Sequence, residues 1–219
     1  MRPGLGGTSF RLDGGNFKEP RRLSGEADPA GRNRTGAALH DLQRAADVLG
    51  RFSYDLVIGS LHNLRETEDF YFLQDAGADP RMLLDRYFDE LLEMTRWGGF
   101  DILAHLTYPY RYLGYTDTPP IACFEEKLRE IFTGLAHGGK ALELNTSGLV
   151  RSPGGRTSPG LWELRLFREC GGEFVTLGSD AHRCAHVGGG IREGLELLRA
   201  AGFRYQASFS RRRAAAFPI

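Results

Sequence analysis

The sequence predicts an α/β protein built around a mostly parallel sheet. Short apolar runs alternate with longer amphipathic runs, which is the pattern of successive βα units. Imidazole and carboxylate residues stand directly after several of the short runs, at the strand ends that carry function in parallel α/β folds. At 219 residues, with 41% hydrophobic and 11% aromatic content, the chain fits one globular domain with a single core.

Five short apolar segments are predicted to be strands. Residues with β propensity fill them, and glycine or polar residues bound them. The first four are residues 54–60, 100–106, 141–146 and 173–179, and a less clearly patterned fifth covers 203–208.

Helices are predicted before and between these strands. The first runs from Ala38 toward Gly50, because its apolar residues recur at steps of three and four. The others cover residues 80–96, 124–136, 161–169 and 191–201. Pro80 suits a first helical turn, and Gly98 and Gly202 stand where helices are expected to end.

Residues 1–36 differ in kind from the rest of the chain. Gly, Arg, Pro, Asp, Asn and Ser dominate this segment, and its few apolar residues follow neither a helical nor a strand period. We therefore expect an irregular, disordered or non-native segment over 1–36 and a folded domain over 37–219.

Charge and composition exclude several classes of protein. Lys plus Arg equals Asp plus Glu at 28 each, so no global field attracts a polyanion, and no nucleic-acid partner is expected. The basic run 211–213 is interpreted as a solvated tail. No apolar stretch approaches the roughly 20 residues of a membrane helix, and no signal-peptide core is present. An odd cysteine count without a CxxC pair indicates reduced thiols, so a soluble, cytoplasmic protein is expected.

Four residues at predicted strand ends are candidate metal ligands. His62 follows the first strand, His105 ends the second, and Asp180 and His182 follow the fourth. Imidazole nitrogen and carboxylate oxygen suit zinc, manganese or iron, so a polynuclear metal site is the main hypothesis. A lone strand-end histidine is more often a hydrogen-bonded structural residue. However, three of the six histidines follow apolar runs, which favours the metal site.

The remaining polar candidates are less well placed. His40 and His137 are interpreted as surface helix or turn residues, and His186 is a candidate for the rim of the site. Glu143 shares a strand face with Ala141 and Asn145. Its carboxylate either points inward, where it needs a metal or arginine partner, or occupies an exposed edge, and the pattern leaves both open.

The order of these motifs resembles the PHP family of phosphoesterases. SLH comes first, followed by AH with a polar and aromatic loop, then ELNTS and GSDAH, over about residues 54–208. Within the family, the stretches most like the histidinol-phosphatase branch are YDLVIGSLHNL, AHLTYPYRY and VTLGSDAHRCAHVG. That branch hydrolyses histidinol phosphate, a small phosphate ester, in histidine biosynthesis.

The resemblance implies a TIM-like, distorted barrel of about seven βα units that holds up to about three divalent ions. It implies His62 and His105 as ligands of one ion, Asp180 of a second and His182 of the third. The ions would lower the pKa of a water ligand, orient the phosphate and neutralise the leaving oxygen. Arg151 and Arg111 are the implied phosphate-binding residues, and both are equally compatible with ordinary surface arginines.

The chain departs from the family at its N-terminal side. Family members start with a strand carrying HxH, continue with a second histidine motif and supply a bridging Glu before the helix placed at Ala38; here the first histidine is His40 and position 34 is Arg. We therefore expect an incomplete barrel without the first two or three units, fewer bound ions, and open sheet edges that favour self-association. The alternatives to an active phosphatase are a catalytically impaired PHP fragment and a noncatalytic subunit.

Overall fold

Four parallel strands organise the part of the chain that the structure, a computed structural model, describes: residues 40–73, 77–113, 118–151 and 154–219. They are β1 (Ile58–Gly59), β2 (Ile102–Leu103), β3 (Ala141–Asn145) and β4 (Val175–Gly178). The strands pair in chain order, with Ile102 opposite both Ile58 and Ala141, and Leu142 opposite Val175. Their C-terminal ends therefore meet at one edge of the sheet, and the predicted parallel α/β fold is confirmed.

The first two strands, β1 and β2, are shorter than the predicted segments 54–60 and 100–106. The segment predicted to be a strand over 54–60 pairs as β1 only at Ile58 and Gly59. Just before it, the backbone N–H of Val57 donates to the Asp101 carboxylate at 2.8 Å instead of to a neighbouring strand. By contrast, all five residues of β3 are buried, as expected for an interior parallel strand.

Six helices connect and flank the strands within the described ranges: α1 (Leu42–Arg51), α2 (Pro80–Trp97), α3 (Glu125–His137), α4 (Ser147–Arg151), α5 (Leu161–Glu169) and α6 (Ile191–Ala200). Short 3-10 helices cover Phe70–Phe72, Tyr108–Arg111, Ile121–Phe124 and Cys184–His186. Asp79 caps α2 by accepting the Arg81 N–H, and Gly98 ends it with φ of 66°. The predicted bounds of α2, α3, α5 and α6 agree with these helices to within about one residue, whereas α4 was missed.

The core lies between the sheet and the helices. On α2 the buried side chains recur at steps of three and four, and on α3 they follow the same period. The largest fully buried side chains include Tyr87, Phe88, Phe100, Phe132 and Phe167. Each such side chain stabilises the fold by about 1.5–3 kcal/mol when it leaves water. This cluster therefore holds the sheet, and with it the strand ends, in place.

A β hairpin forms the C-terminal end of the described residues, and it corrects two expectations. β5 (Tyr205–Ser210) pairs antiparallel with β6 (Arg213–Pro218), which the sequence did not predict. Arg211 and Arg212 occupy the two-residue turn with φ of 50° and 61°. Their backbone N–H groups donate to Asp55 at 3.0 and 2.8 Å. The basic run is therefore a structured turn, and its interpretation as a solvated tail was wrong.

Two composition-based expectations can be compared with the structure. Cys123, Cys170 and Cys184 are free thiols, as predicted. Within the described ranges, no helix has the length and apolarity to cross a membrane. The expectation for residues 1–36 lies outside the described residues.

Candidate active site

His62 and His105 stack on each other at the C-terminal edge of the sheet. Their ring centroids are 5.3 Å apart and their planes differ by 19°. The reason is topological: β1 and β2 are adjacent and parallel, so the residues that follow them emerge side by side. The structure thus brings together the first two residues that the sequence singled out.

The imidazole of His62 has an unsatisfied ring nitrogen. Its Nε2 is buried and makes no hydrogen bond with any described residue. Burial, reinforced by the neighbouring charge of His105, lowers the pKa of His62, so the neutral ring with a free lone pair is favoured. A buried polar atom without a partner costs about 1–3 kcal/mol, and a metal ion would relieve that cost. The donor set of this pair therefore fits a divalent metal.

Glu143 belongs to the site, which resolves the alternatives left open by the sequence. Its carboxylate is buried and points inward, with Oε2 lying 3.0 Å from His105 Nδ1. The backbone N–H of His105 donates to the same oxygen at 3.3 Å. The exposed-edge interpretation was wrong, and the partner is a histidine rather than an arginine. In the sequence, the one indication of this inward orientation was that Glu143 shares a strand face with Asn145, two residues later.

Asp180 lies under two guanidinium groups. Arg151 NH2 donates to its carboxylate at 3.2 Å and to its backbone carbonyl at 3.0 Å, and Arg111 NH1 lies 3.7 Å from Oδ2. Although burial opposes ionisation, the positive charges of His105, Arg151 and Arg111 hold the pKa of Asp180 below its usual value. The carboxylate is therefore ionised and available as a ligand at neutral pH.

Two of the predicted ligands have a left-handed backbone. His105 has φ of 56° and Asp180 has φ of 46°, a region that residues other than glycine rarely adopt. Such conformations cost on the order of 1–3 kcal/mol and occur preferentially at functional sites, where the surrounding structure holds them. The turn after β2 is held partly by Glu143, through the N–H of His105.

His182 stands apart from the histidine pair. Its side chain is 70% exposed, and its Nε2 lies 3.5 Å from Asp180 Oδ1. Within the described ranges the structure contains no group of three or more His, Cys, Asp or Glu side chains arranged to hold a metal ion. The four predicted ligands therefore form two pairs, His62 with His105 and Asp180 with His182.

A polar network that the sequence did not identify joins the two arginines to β3. Asn145 Oδ1 accepts hydrogen bonds from Arg111 at 3.1 Å and from the backbone N–H of Ser147 at 3.0 Å. Ser147 Oγ lies 3.3 Å from both Arg111 NH2 and Asp180 Oδ2. Arg111 and Arg151 are consequently fixed at the rim beside Asp180, and neither is an isolated surface residue.

The other histidines also have defined positions. The Nε2 of His40 is buried, 3.8 Å from a carboxylate oxygen of Glu90, so the prediction of a surface residue was wrong. His40, two residues before α1, lies against Glu90 of α2, a tertiary contact that helical periodicity does not reveal. His137 ends α3 as predicted, and His186 ends the 3-10 helix in the loop after Asp180.

Comparison with known proteins identifies the family. The family model described as PHP domain matches residues 35–147 of this chain. The chain belongs to the PHP-domain family. This match confirms the resemblance drawn from the ordered motifs, and it includes the segments that carry His62 and His105.

Proteins similar in sequence to this PHP-domain chain include histidinol-phosphatases. The histidinol-phosphatase of Lactococcus lactis is 30% identical over 89% of the chain and 74% of its own length. The probable histidinol-phosphatase of Thermotoga maritima is 34% identical over 61% of the chain, and the match spans only 54% of that relative's length. A crystal structure of the Lactococcus lactis histidinol phosphate phosphatase with zinc, L-histidinol and phosphate superposes with a TM-score of 0.67 at 26% identity. That superposition covers 82% of this chain and 69% of the other.

Proposed function

We propose that this PHP-domain chain is a metal-dependent phosphomonoester hydrolase that converts histidinol phosphate and water to histidinol and phosphate in histidine biosynthesis. The observation that carries the proposal is the stacked His62–His105 pair, in which the buried, unpartnered Nε2 of His62 suits a metal. The family relationship adds the substrate, because the similar Lactococcus lactis structure holds zinc, L-histidinol and phosphate.

We assign His62 and His105 to one divalent ion, Asp180 to a second and His182 to a third. Zinc is the ion favoured by the similar structure, with manganese and iron as the other candidates, and fewer than all three of these ion positions are expected to be filled in this chain. A divalent ion at this edge supplies a water of lowered pKa and positive charge opposite the phosphate. His105 and Asp180, which follow β2 and β4 at the same edge of the sheet, both have a left-handed backbone.

Arg111 and Arg151 are proposed to bind the substrate phosphate. Both guanidinium groups now contact the Asp180 carboxylate, which shows that each reaches an anion at this rim. A guanidinium offers paired N–H donors that match phosphate oxygens. Asn145 and Ser147 restrict Arg111, so less side-chain entropy is lost when the phosphate binds.

The same proposal covers the surroundings of the site. We propose that the sheet forms part of an incomplete PHP-type barrel over 37–219 and that the protein acts in the cytoplasm, consistent with its three free cysteines. The substrate is a small molecule rather than nucleic acid, since the net charge is zero.

The test measures metal content and phosphate release from histidinol phosphate by the purified chain, with and without added zinc or manganese. The control is the double variant His105→Ala, Asp180→Ala. Bound metal and turnover that disappear in the double variant support the proposal. A chain that binds no metal and releases no phosphate, or one whose activity persists in the variant, overturns it.

A second candidate, a catalytically impaired PHP chain or noncatalytic subunit, rests on two observations. The described residues contain no group of three metal ligands, and two apolar side chains are exposed at or just before β1, Leu56 at 37% and Ile58 at 54%. An uncovered strand edge favours association with a second chain. Sedimentation separates the candidates, because a monomer with metal-dependent turnover excludes the subunit, whereas a silent chain that sediments as a dimer or with the Lactococcus lactis enzyme supports it.

A further inference from the structure

Glu143 holds His105 at two points. Its Oε2 lies 3.0 Å from the ring Nδ1 and accepts the backbone N–H of the same residue at 3.3 Å. The Glu143 side chain is 11% exposed, and a buried carboxylate is costly unless donors face it. A single buried oxygen therefore contacts both the main chain and the side chain of His105.

The contacts of His105 Nδ1 indicate which tautomer the ring adopts. Asn145 Nδ2, a donor, also lies 3.2 Å from that nitrogen, so the atom stands between a donor and an acceptor. The carboxylate is closer, and a bond to an ionised group is about twice as strong as a neutral one. The amide also has a second acceptor, since Asn145 Nδ2 lies 3.4 Å from Glu143 Oε2. The arrangement favours a proton on Nδ1, which leaves the Nε2 lone pair free.

The neighbouring strand leaves room for this carboxylate. Gly178 lies on β4 next to Glu143, and a Cβ built on Gly178 would stand only 2.3 Å from Glu143 Oε1. Any larger residue at 178 would therefore displace the carboxylate. Glycine is often needed where the backbone has a positive φ, but Gly178 does not have one. The reason for a glycine at this position is therefore the space beside the Glu143 carboxylate.

We propose that Glu143 is a positioning residue that fixes His105 in the Nδ1–H tautomer and orients its ring, with Gly178 providing the space. This inference rests on the proposed function, because it assigns the freed Nε2 to a metal. A carboxylate behind a ligating imidazole fixes the tautomer and raises the basicity of the ring, and loss of such a partner typically lowers metal affinity about 10–100-fold.

The test reads the ring directly, without substrate. Nitrogen NMR of the metal-free chain at alkaline pH reports the tautomer of each imidazole, and the His105→Gln spectrum identifies the His105 signals. We expect the Nδ1–H form in the wild type, a mixed or Nε2–H form in Glu143→Leu, and retention of Nδ1–H in Glu143→Gln, whose amide oxygen still accepts. Zinc affinity should fall about 10–100-fold in Glu143→Leu and less in Glu143→Gln.

A matched control and a second variant keep the test decisive. Glu163 is a buried carboxylate on α5 whose pKa burial raises, and Glu163→Gln should leave the His105 tautomer and zinc affinity unchanged. If Glu143→Leu does not fold, Gly178→Ala retains the carboxylate but displaces it, and should produce the same shift. An unchanged His105 tautomer and unchanged zinc affinity in the folded variants overturn the inference. Neither the tautomer of His105 nor the zinc affinity depends on phosphatase activity. A failure of the proposed function can therefore be distinguished from a failure of this inference.

Discussion

Arg212 and Asp101 form a forked ion pair that joins the C-terminal hairpin to the parallel sheet. Arg212 Nε lies 2.9 Å from Asp101 Oδ2, and its NH2 lies 3.1 Å from Oδ1. The same guanidinium donates to the Gly99 carbonyl at 2.9 Å, and the Asp101 carboxylate also accepts the Val57 N–H at 2.8 Å. One carboxylate thus connects the start of β1, the start of β2 and the hairpin turn.

We expect Arg212→Ala to lower the free energy of unfolding by about 2 kcal/mol, because it leaves the buried Asp101 carboxylate without its cation. The effect is less than for a fully buried pair, since the Arg212 side chain is 36% exposed. Urea denaturation measures it. Arg213→Ala, in the same basic run, is the control and should change stability by less than about 0.5 kcal/mol. Equal effects of the two substitutions would show that the Arg212–Asp101 ion pair does not stabilise the fold.

Two helical glycines should respond in opposite directions to alanine. Gly134 of α3 packs against α2, where a Cβ would lie 2.8 Å from Thr95 Cγ2, and Thr95 is held by a buried hydrogen bond to Leu91. Gly134→Ala should therefore destabilise by about 1–3 kcal/mol. Gly50 of α1 has nothing within 4 Å of its Cβ position, so Gly50→Ala should stabilise by up to about 1 kcal/mol. Thermal unfolding of both variants checks the prediction, which fails if Gly134→Ala is neutral or stabilising.

His40 should make stability depend on pH. Burial lowers its pKa below 6.5, with Glu90 opposing the shift, so the unfolded chain binds the proton more readily than the folded one. The contribution of His40 to the free energy of unfolding therefore rises with pH between its folded pKa and about 6.5 and is constant above that value. The difference between wild type and His40→Gln in urea denaturation at several pH values should follow this rise. His62 is present in both chains, so its titration cancels, and a difference that does not vary with pH would contradict the prediction.

Arg111 should be needed for binding of the phosphate ester. Arg111→Ala removes the donor that Asn145 and Ser147 hold at the rim, and we expect kcat/KM for histidinol phosphate to fall about 100-fold. Arg111→Lys keeps the charge but loses the planar fork, so it should recover only part of the loss. Arg165→Ala, on the exposed side of α5, is the matched control and should retain activity. Full activity in Arg111→Ala would remove this residue from the site.

The amino-acid sequence by itself determined four of the six described helices, to within about one residue, and the placement of the histidine pair. The α5 bounds 161–169 agree with the prediction because periodicity and termini are encoded within a few residues. His62 and His105 were identifiable because the ends of adjacent parallel strands must meet at one edge. The family resemblance followed from the order of these motifs and was confirmed by the PHP-domain match.

Only the tertiary structure decided which polar groups pair with one another. Glu143 turns toward His105, His40 packs against Glu90, and Arg212 reaches Asp101 across a long separation in the chain. The physical reason is that a buried charge must find its partner in space, and any of several residues of the right type could have satisfied it. Helical and strand periods report which face is buried, but they carry no information about the group that lies opposite.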